Sequence, residues 1–330
     1  MDFEFNIDRA SSAANVYFKY HFCNIKKPLV ITFANLGELI DEAKISEYPS
    51  PWGFEFVKRK GLNVLSFASC RPSNWYRKRA FPAFLRDLSA NLPDFPERLG
   101  YGGSMGGYGV SAFANILRMN RVLLMNPIST LNDRLVPWET RFPGGRSLSW
   151  KYGVFDGSKM NCPGYVVYDP LFKLDRLHAL RYKKNIVHLK IPGVGHSTPT
   201  HLQTMKLLSP LFQAFVDGDI DCVQFHESVR KRRNIVRYYD EMLNEEFRTH
   251  TETRRRIIQN RKNQFLQGQI NSPQNITIER KFADTLRDSA RLLEDIDIHK
   301  ALKLMELAYQ IRQGTFIEKK IKQYRKIAQK

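Results

Sequence analysis

Gly102-Gly103-Ser104-Met105-Gly106-Gly107-Tyr108-Gly109 is the stretch on which the reading of this chain turns. An apolar run precedes it and helix-like spacing follows it, so a strand should end here and a helix begin, with Ser104 on the turn. A serine hydroxyl is a weak nucleophile unless a sharp turn exposes it and a base takes its proton. The G-x-S-x-G spacing supplies the turn, because glycine at 102 and 106 removes the Cβ atoms that would collide across it. Other uses of a glycine-rich octet fit worse. A phosphate-binding loop needs G-K-[ST], and no lysine is present. A dinucleotide fingerprint needs glycine where Ser104 stands.

Working outward, residues 14–24, 28–35 and 61–67 are rich in β-branched and aromatic residues and read as strands. A helix-like stretch over 75–90 leads to a short strand at 98–101, which enters the octet. Beyond it come a helix over 108–119 and strands at 121–126, 164–168 and 185–191. Strands alternating with helices imply right-handed crossovers and a mostly parallel sheet with helices on both faces, an α/β sandwich. Residues 129–163 interrupt the alternation with Pro, Gly and aromatics, and read as an irregular insert lying over the active site as a short lid.

A base is needed for Ser104, and Ile191-Pro192-Gly193-Val194-Gly195-His196 offers one directly after the last strand. Gly193 and Gly195 would let that loop fold His196 back toward Ser104, before a helix over 198–216. Two aspartates compete to orient the imidazole. Asp169 follows the strand at 164–168 and is preferred; Asp175 is the alternative, with a helix N-cap as its bland reading. The oxyanion of acyl transfer needs two backbone N–H donors. Met105, next to the nucleophile, should give one, and Leu36, after the strand at 28–35, the other, with Gly37 allowing the turn and Asn35 near enough to add its side chain. Trp75, Tyr76 and Arg77 follow the third strand on the same edge, where an aromatic pair beside a cation suits a sugar ring and an anion. Their bland reading is a packed helix start. His178, His188 and His201 read as structural or surface residues, and no spacing argues for a metal.

The composition bounds the rest. At 330 residues and 42% hydrophobic content, the chain can hold one large α/β domain and something smaller. No apolar run reaches the roughly 18–20 residues that span a bilayer, and the N-terminus lacks a secretory pattern, so a soluble, cytoplasmic protein is expected. Four scattered cysteines suggest neither a disulfide framework nor a zinc site. The formal charge is +19, and from residue 221 onward there are 24 Lys and Arg against 15 Asp and Glu. Such a surface attracts anionic polymers or an anionic membrane face. The expected division is therefore a catalytic α/β domain over 1–220 and a basic helical tail over 221–330. The tail reads as one long helix over 228–267, ended by Asn271-Ser272-Pro273, then three shorter helices over 280–328. In the middle one, Ala301, Leu304, Ala308 and Ile311 share a face, as in a degenerate tetratricopeptide-like hairpin that should pack on the catalytic domain or a partner.

With Ser104 between Gly102 and Gly106, followed by Asp169 and His196, the chain resembles the α/β-hydrolase superfamily over about residues 14–217. The octet and the Tyr168-Asp169-Pro170…Asp175-Arg176-Leu177-His178-Ala179 segment look like bacterial members associated with surface-polysaccharide or glycoprotein modification. The 301–314 and 316–324 stretches are similar to helical tails on proteins of capsule and glycan biosynthesis. The resemblance implies a Ser-His-Asp acyl-transfer enzyme acting on a carbohydrate ester, either an O-acetyl esterase or an O-acetyltransferase. It implies no bound cofactor, with acetyl-coenzyme A as acyl donor in the transferase case. The basic tail would then hold an anionic polysaccharide, or touch the inner membrane face or a glycan-synthesis complex. A catalytically inactive hydrolase fold serving as a scaffold is the alternative. Nucleic-acid binding ranks third, since the basic runs at 230–233 and 254–256 carry no recognised motif.

Overall fold

The computed structural model of the chain describes every residue except 1–2, 73, 184, 247–249, 271–272, 312–313 and 330, with backbone alone at 269–270 and 273–281. It forms two compact units, Met1–Arg255 and Arg256–Lys330. In the first, eight strands make one sheet: β1 (Asp8–Ala13), β2 (Val16–His21), β3 (Leu29–Phe33), β4 (Asn63–Ser69), β5 (Arg98–Gly103), β6 (Arg121–Met125), β7 (Gly164–Tyr168) and β8 (Ile186–Lys190). Their spatial order is β1-β2-β4-β3-β5-β6-β7-β8. β2 is antiparallel to β1 and β4, and the other pairs are parallel. This is the α/β-hydrolase fold. Every strand read from the sequence is present. β1 is an addition: Asp-Arg-Ala-Ser-Ser-Ala shows no apolar alternation, and it forms by pairing with β2 from Asp8 opposite His21 to Ala13 opposite Val16.

The sheet buries both faces. Leu29, Ile31 and Phe33 of β3 enter one core layer, while Val30 enters the other. Helix α1 (Phe54–Lys58) covers the second layer, and α2 (Phe81–Asn91) and α3 (Ser104–Phe113) cover the first. At β3 the sheet order reverses, with β4 on one side and β5 on the other. Loops leaving the carboxyl ends of strands at such a switch point diverge and leave a crevice. Asn35 stands on one of these loops and Ser104 on the other.

The insert at 129–163 holds a short helix, α4 (Pro143–Arg146), and two 3-10 turns, Gly153–Phe155 and Gly157–Lys159. It is not a lid. Trp150 and Phe155 belong to the first core layer, and no insert residue lines the cavity at Ser104. Its aromatic residues gain more by joining the core than by capping a polar crevice.

After β7 comes α5 (Lys173–Ala179), and after β8 come α6 (Thr198–Thr204) and α7 (Leu208–Asp217). The single helix read over 198–216 is broken where Lys206 takes φ 60. The long helix read over 228–267 is also absent. In its place stand α8 (Cys222–Ser228), a 3-10 turn (Val229–Asn234), α9 (Val236–Leu243) and α10 (Glu252–Ile270). Phe225 and Val229 enter the second core layer of the sheet. Their burial there outweighs a sparse seven-residue pattern on a charged helix, so the first unit runs on past 220 to Arg255.

The second unit contains α11 (Pro273–Leu293), α12 (Ile298–Ile311) and α13 (Thr315–Ala328). Asn271 and Ser272, read as the break before them, lie outside the described residues. Ala301, Met305 and Ala308 of α12 are buried with Ala290, Ile317, Ile321 and Tyr324. These helices therefore cover the expected apolar face among themselves. Among the described residues, no helix is long and apolar enough to cross a membrane.

Candidate active site

The site begins at the end of β5. Gly103 is extended at φ −121, Ser104 swings to φ 48, and α3 starts at once. That left-handed conformation costs a non-glycine residue about 1–3 kcal/mol, so the surroundings must impose it. They do so by close packing. A Cβ at Gly102 would lie 2.7 Å from the Gly106 carbonyl group, and one at Gly106 would run into the Phe33 carbonyl oxygen. Without those two methyl groups the first turn of α3 settles against β3 and β5. Ser104 is left half-buried at the sheet edge, facing a cavity of about 350 Å³ lined in part by Asn35, Glu38, Trp52, Asn126 and His196.

Ser104 Oγ lies 2.9 Å from His196 Nε2. On the far side of the imidazole, Nδ1 lies 2.8 and 2.9 Å from the two carboxylate oxygens of Asp175. The preferred sequence candidate, Asp169, is not at the histidine. Its Oδ2 accepts the Gly195 N–H at 2.8 Å and its Oδ1 accepts the Leu171 N–H at 2.8 Å. Asp169 thus holds the histidine loop by its backbone while Asp175 meets the ring. The reason lies in α5, whose first turn carries Asp175 inward, fully buried. Phe172, not Asp175, takes the N-cap position. Gly193 and Gly195 adopt φ +87 and +58, the left-handed turns that bring His196 back over the sheet. The segment beyond 220 buttresses this loop: Arg232 Nε donates to the Pro192 carbonyl at 2.7 Å, and a Cβ at Gly193 would strike Tyr238 and Met242.

Behind Asp175 lies a charge network supplied by the insert. Arg141 Nη1 donates to Asp175 Oδ1 at 2.9 Å, and its Nη2 donates to Glu139 Oε2 at 2.6 Å. Glu139 also receives His178 Nε2 at 2.9 Å, while His178 Nδ1 accepts the Ser129 N–H at 3.1 Å. Accepting at Nδ1 and donating at Nε2 makes His178 the neutral tautomer, and burial lowers its pKa in spite of Glu139. Burial by itself would raise both carboxyl groups. For Glu139, His178 and Arg141 outweigh it and hold the group at about 2. For Asp175, His196 and Arg141 outweigh it and hold the group below the usual carboxylate range. Both acids are therefore ionised at neutral pH, with Arg141 charged between them.

The remaining sequence candidates divide. Met105 is buried directly after Ser104 at the start of α3, and Leu36 stands on the loop after β3 with an exposed side chain. Asn35 reaches the site: its buried Oδ1 would lie 3.4 Å from a Cβ at Gly106, and it has no hydrogen-bond partner among the described residues. Trp75, Tyr76 and Arg77 do not reach it. Trp75 and Tyr76 are core side chains, the latter donating its hydroxyl to the Ala34 carbonyl at 2.8 Å. Arg77 stacks on Trp150 and Phe155, 4.4 and 3.4 Å from their ring centres, and burial lowers its pKa to about 10. Trp75, against Phe142 and Trp150, and Arg77 pack on the insert, and Tyr76 packs in the core, which is why an aromatic pair beside a cation misleads here.

Three neighbours of the site carry little or no local sequence signal. Glu139 and Arg141 come from the irregular insert. Asn126, at the end of β6 with φ 37, donates its amide to the His196 carbonyl at 3.3 Å. Only an Asn-Pro step after an apolar run marks Asn126, and nothing local marks the other two.

No protein-family model matches the sequence, and no curated protein matches it. Among solved structures, the chain is similar to the capsule O-acetyltransferase of Neisseria meningitidis serogroup A at 11% identity and a TM-score of 0.46, covering 63% of this chain and 93% of that one. It is similar to Est1E from Butyrivibrio proteoclasticus at 16% identity and a TM-score of 0.45, covering 64% and 99%. A third is an esterase of Pyrobaculum calidifontis, at 13% identity and a TM-score of 0.42, covering 65% and 84%.

Proposed function

We propose that this protein is a serine acyl-transfer enzyme with Ser104 as nucleophile, His196 as general base and Asp175 as the acid that orients it. The observation that carries this reading is the unbroken line Ser104 Oγ–His196 Nε2–His196 Nδ1–Asp175, with contacts of 2.9 and 2.8 Å, built on a serine held at φ 48. His196 Nε2 takes the hydroxyl proton as Ser104 Oγ bonds to the ester carbonyl carbon. The carbonyl oxygen becomes an oxyanion, for which the Met105 and Leu36 amides are the proposed donors. Collapse of the intermediate breaks the bond to the leaving alcohol or thiol, which carries off the proton from His196. Water or a sugar hydroxyl then attacks the acyl-enzyme by the same steps in reverse.

The charge network favours the intermediate. With His196 neutral, Glu139, Asp175 and Arg141 together carry one net negative charge. Protonation of His196 cancels it, so the buried cluster is better balanced when the imidazolium forms. We propose a carbohydrate ester as substrate, with hydrolysis or O-acetyl transfer from acetyl-coenzyme A as the two outcomes. In this reading the basic C-terminal helices hold an anionic glycan or rest on a cytoplasmic membrane face.

A fluorophosphonate probe tests the core of the proposal. It should label Ser104 in the native chain and fail to label Ser104→Ala; a folded native protein that does not react would overturn it. Incubation with acetyl-coenzyme A, with and without a capsule-type oligosaccharide, separates the outcomes. Acetylated sugar marks a transferase, and acetate release indifferent to sugar marks an esterase.

A further inference from the structure

Beside the Ser104 cavity lies a second cavity of about 470 Å³, and the two share Trp52, Gln203 and Leu208 in their walls. They are therefore neighbouring compartments, with Trp52 in the wall of both. The inner wall of the second compartment is aromatic: Trp52 stacks on Tyr101 with ring centres 5.0 Å apart and planes at 28°, and Phe56 lies beside them. Its rim is cationic. Arg59 and Lys206 both line it, no carboxylate does, and neither makes an ion pair among the described residues. Other basic side chains beside the sheet are neutralised by a carboxylate, as Lys58 is at Asp8 and Arg121 at Glu97, whereas Arg59 and Lys206 stand exposed at the rim. Lys206 stands at φ 60 in the break between α6 and α7 and lines the compartment.

Two unpaired cations above an aromatic floor are a receptor for a ring or chain that ends in an anion. We infer that this compartment binds the phosphate-bearing part of the substrate whose acyl ester reacts at Ser104. Trp52 would carry the uncharged portion, Gln203 would meet hydroxyl or amide groups, and Arg59 with Lys206 would meet the phosphate. The same chemistry is offered by an acylated sugar phosphate and by the phosphates of acetyl-coenzyme A. The inference rests on the acyl-transfer reading for the connection to Ser104, but phosphate binding in the compartment stands without it.

The test has two arms. In a Ser104→Ala background, glucose 1-phosphate, glucose and coenzyme A are titrated calorimetrically. The phosphate ligands should bind at least tenfold more tightly than glucose, and Arg59→Ala with Lys206→Ala should remove that margin. In the active chain, kcat/KM for 6-O-acetylglucose 1-phosphate is compared with that for 6-O-acetylglucose, and the ratio should fall toward one in the same double variant. A control pair on the exposed surface, Lys44→Ala with Arg86→Ala, removes equal charge and should leave both margins in place. Dependence confined to the sugar phosphate assigns the anion to the sugar, and dependence confined to coenzyme A assigns it to the donor. If no phosphate ligand gains from Arg59 and Lys206, or if the control pair loses as much, the inference is overturned. Phosphate binding with no fluorophosphonate labelling would instead retire the acyl-transfer reading and leave the compartment standing.

Discussion

Two aspartates 6 positions apart have different work in this site, and a single change at each tells them apart. Asp175 contacts the imidazole, so Asp175→Asn should keep the fold yet favour the wrong histidine tautomer, lowering kcat by roughly 10⁴. Asp169 accepts the backbone N–H groups of Leu171 and Gly195. Asp169→Asn should act through the loop that carries His196, destabilising the fold by about 1–3 kcal/mol, seen as a lower melting temperature, with a smaller fall in kcat. Steady-state kinetics and thermal melting on both variants check this. The reverse ranking would return the acid role to Asp169.

At the scale of elements, the elbow depends on one crowded contact and the insert on buried charge. Gly106→Ala places a methyl group on the Phe33 carbonyl, where β3 cannot retreat without leaving β4 and β5. It should destabilise the chain by about 3 kcal/mol or more and abolish labelling of Ser104, as read by melting and by the fluorophosphonate probe. The insert is held by buried charge, and that charge has a pH signature. Glu139 titrates at about 2 in the fold, against an ordinary value of 4.5. Its contribution is complete above pH 4.5 and drains away as pH falls toward 2. The melting temperature of the native chain should therefore drop more steeply over that window than that of Glu139→Gln, which starts lower at neutral pH. Parallel curves would show that Glu139 carries no such load.

For the whole molecule, the two units make separate claims. Both core layers of the sheet, together with Ser104, His196 and Asp175, lie before Arg256. A chain ending at Arg255 should fold and label at Ser104. If the basic helices are an electrostatic anchor, it should lose the salt-sensitive binding of dextran sulfate shown by the full chain, measured by affinity against ionic strength. A chain ending at 220 should fare worse, because it lacks Arg232 on the Pro192 carbonyl and the α9 side chains behind Gly193.

The sequence by itself determined the strand–turn–helix around Ser104, the strand ladder and the return of His196 through Gly193 and Gly195. Each of these depends on local chemistry: a glycine where a Cβ cannot fit, a β-branched run, a loop that must turn left-handed. Only the tertiary structure decided which aspartate meets the histidine, that Arg141 and Glu139 stand behind it, that Trp75 and Tyr76 belong to the core, and that Arg77 stacks on the insert. It also decided where the first unit ends. Those outcomes depend on which distant surfaces are buried together and which charges must then be paired, and neither is written in the spacing of neighbouring residues.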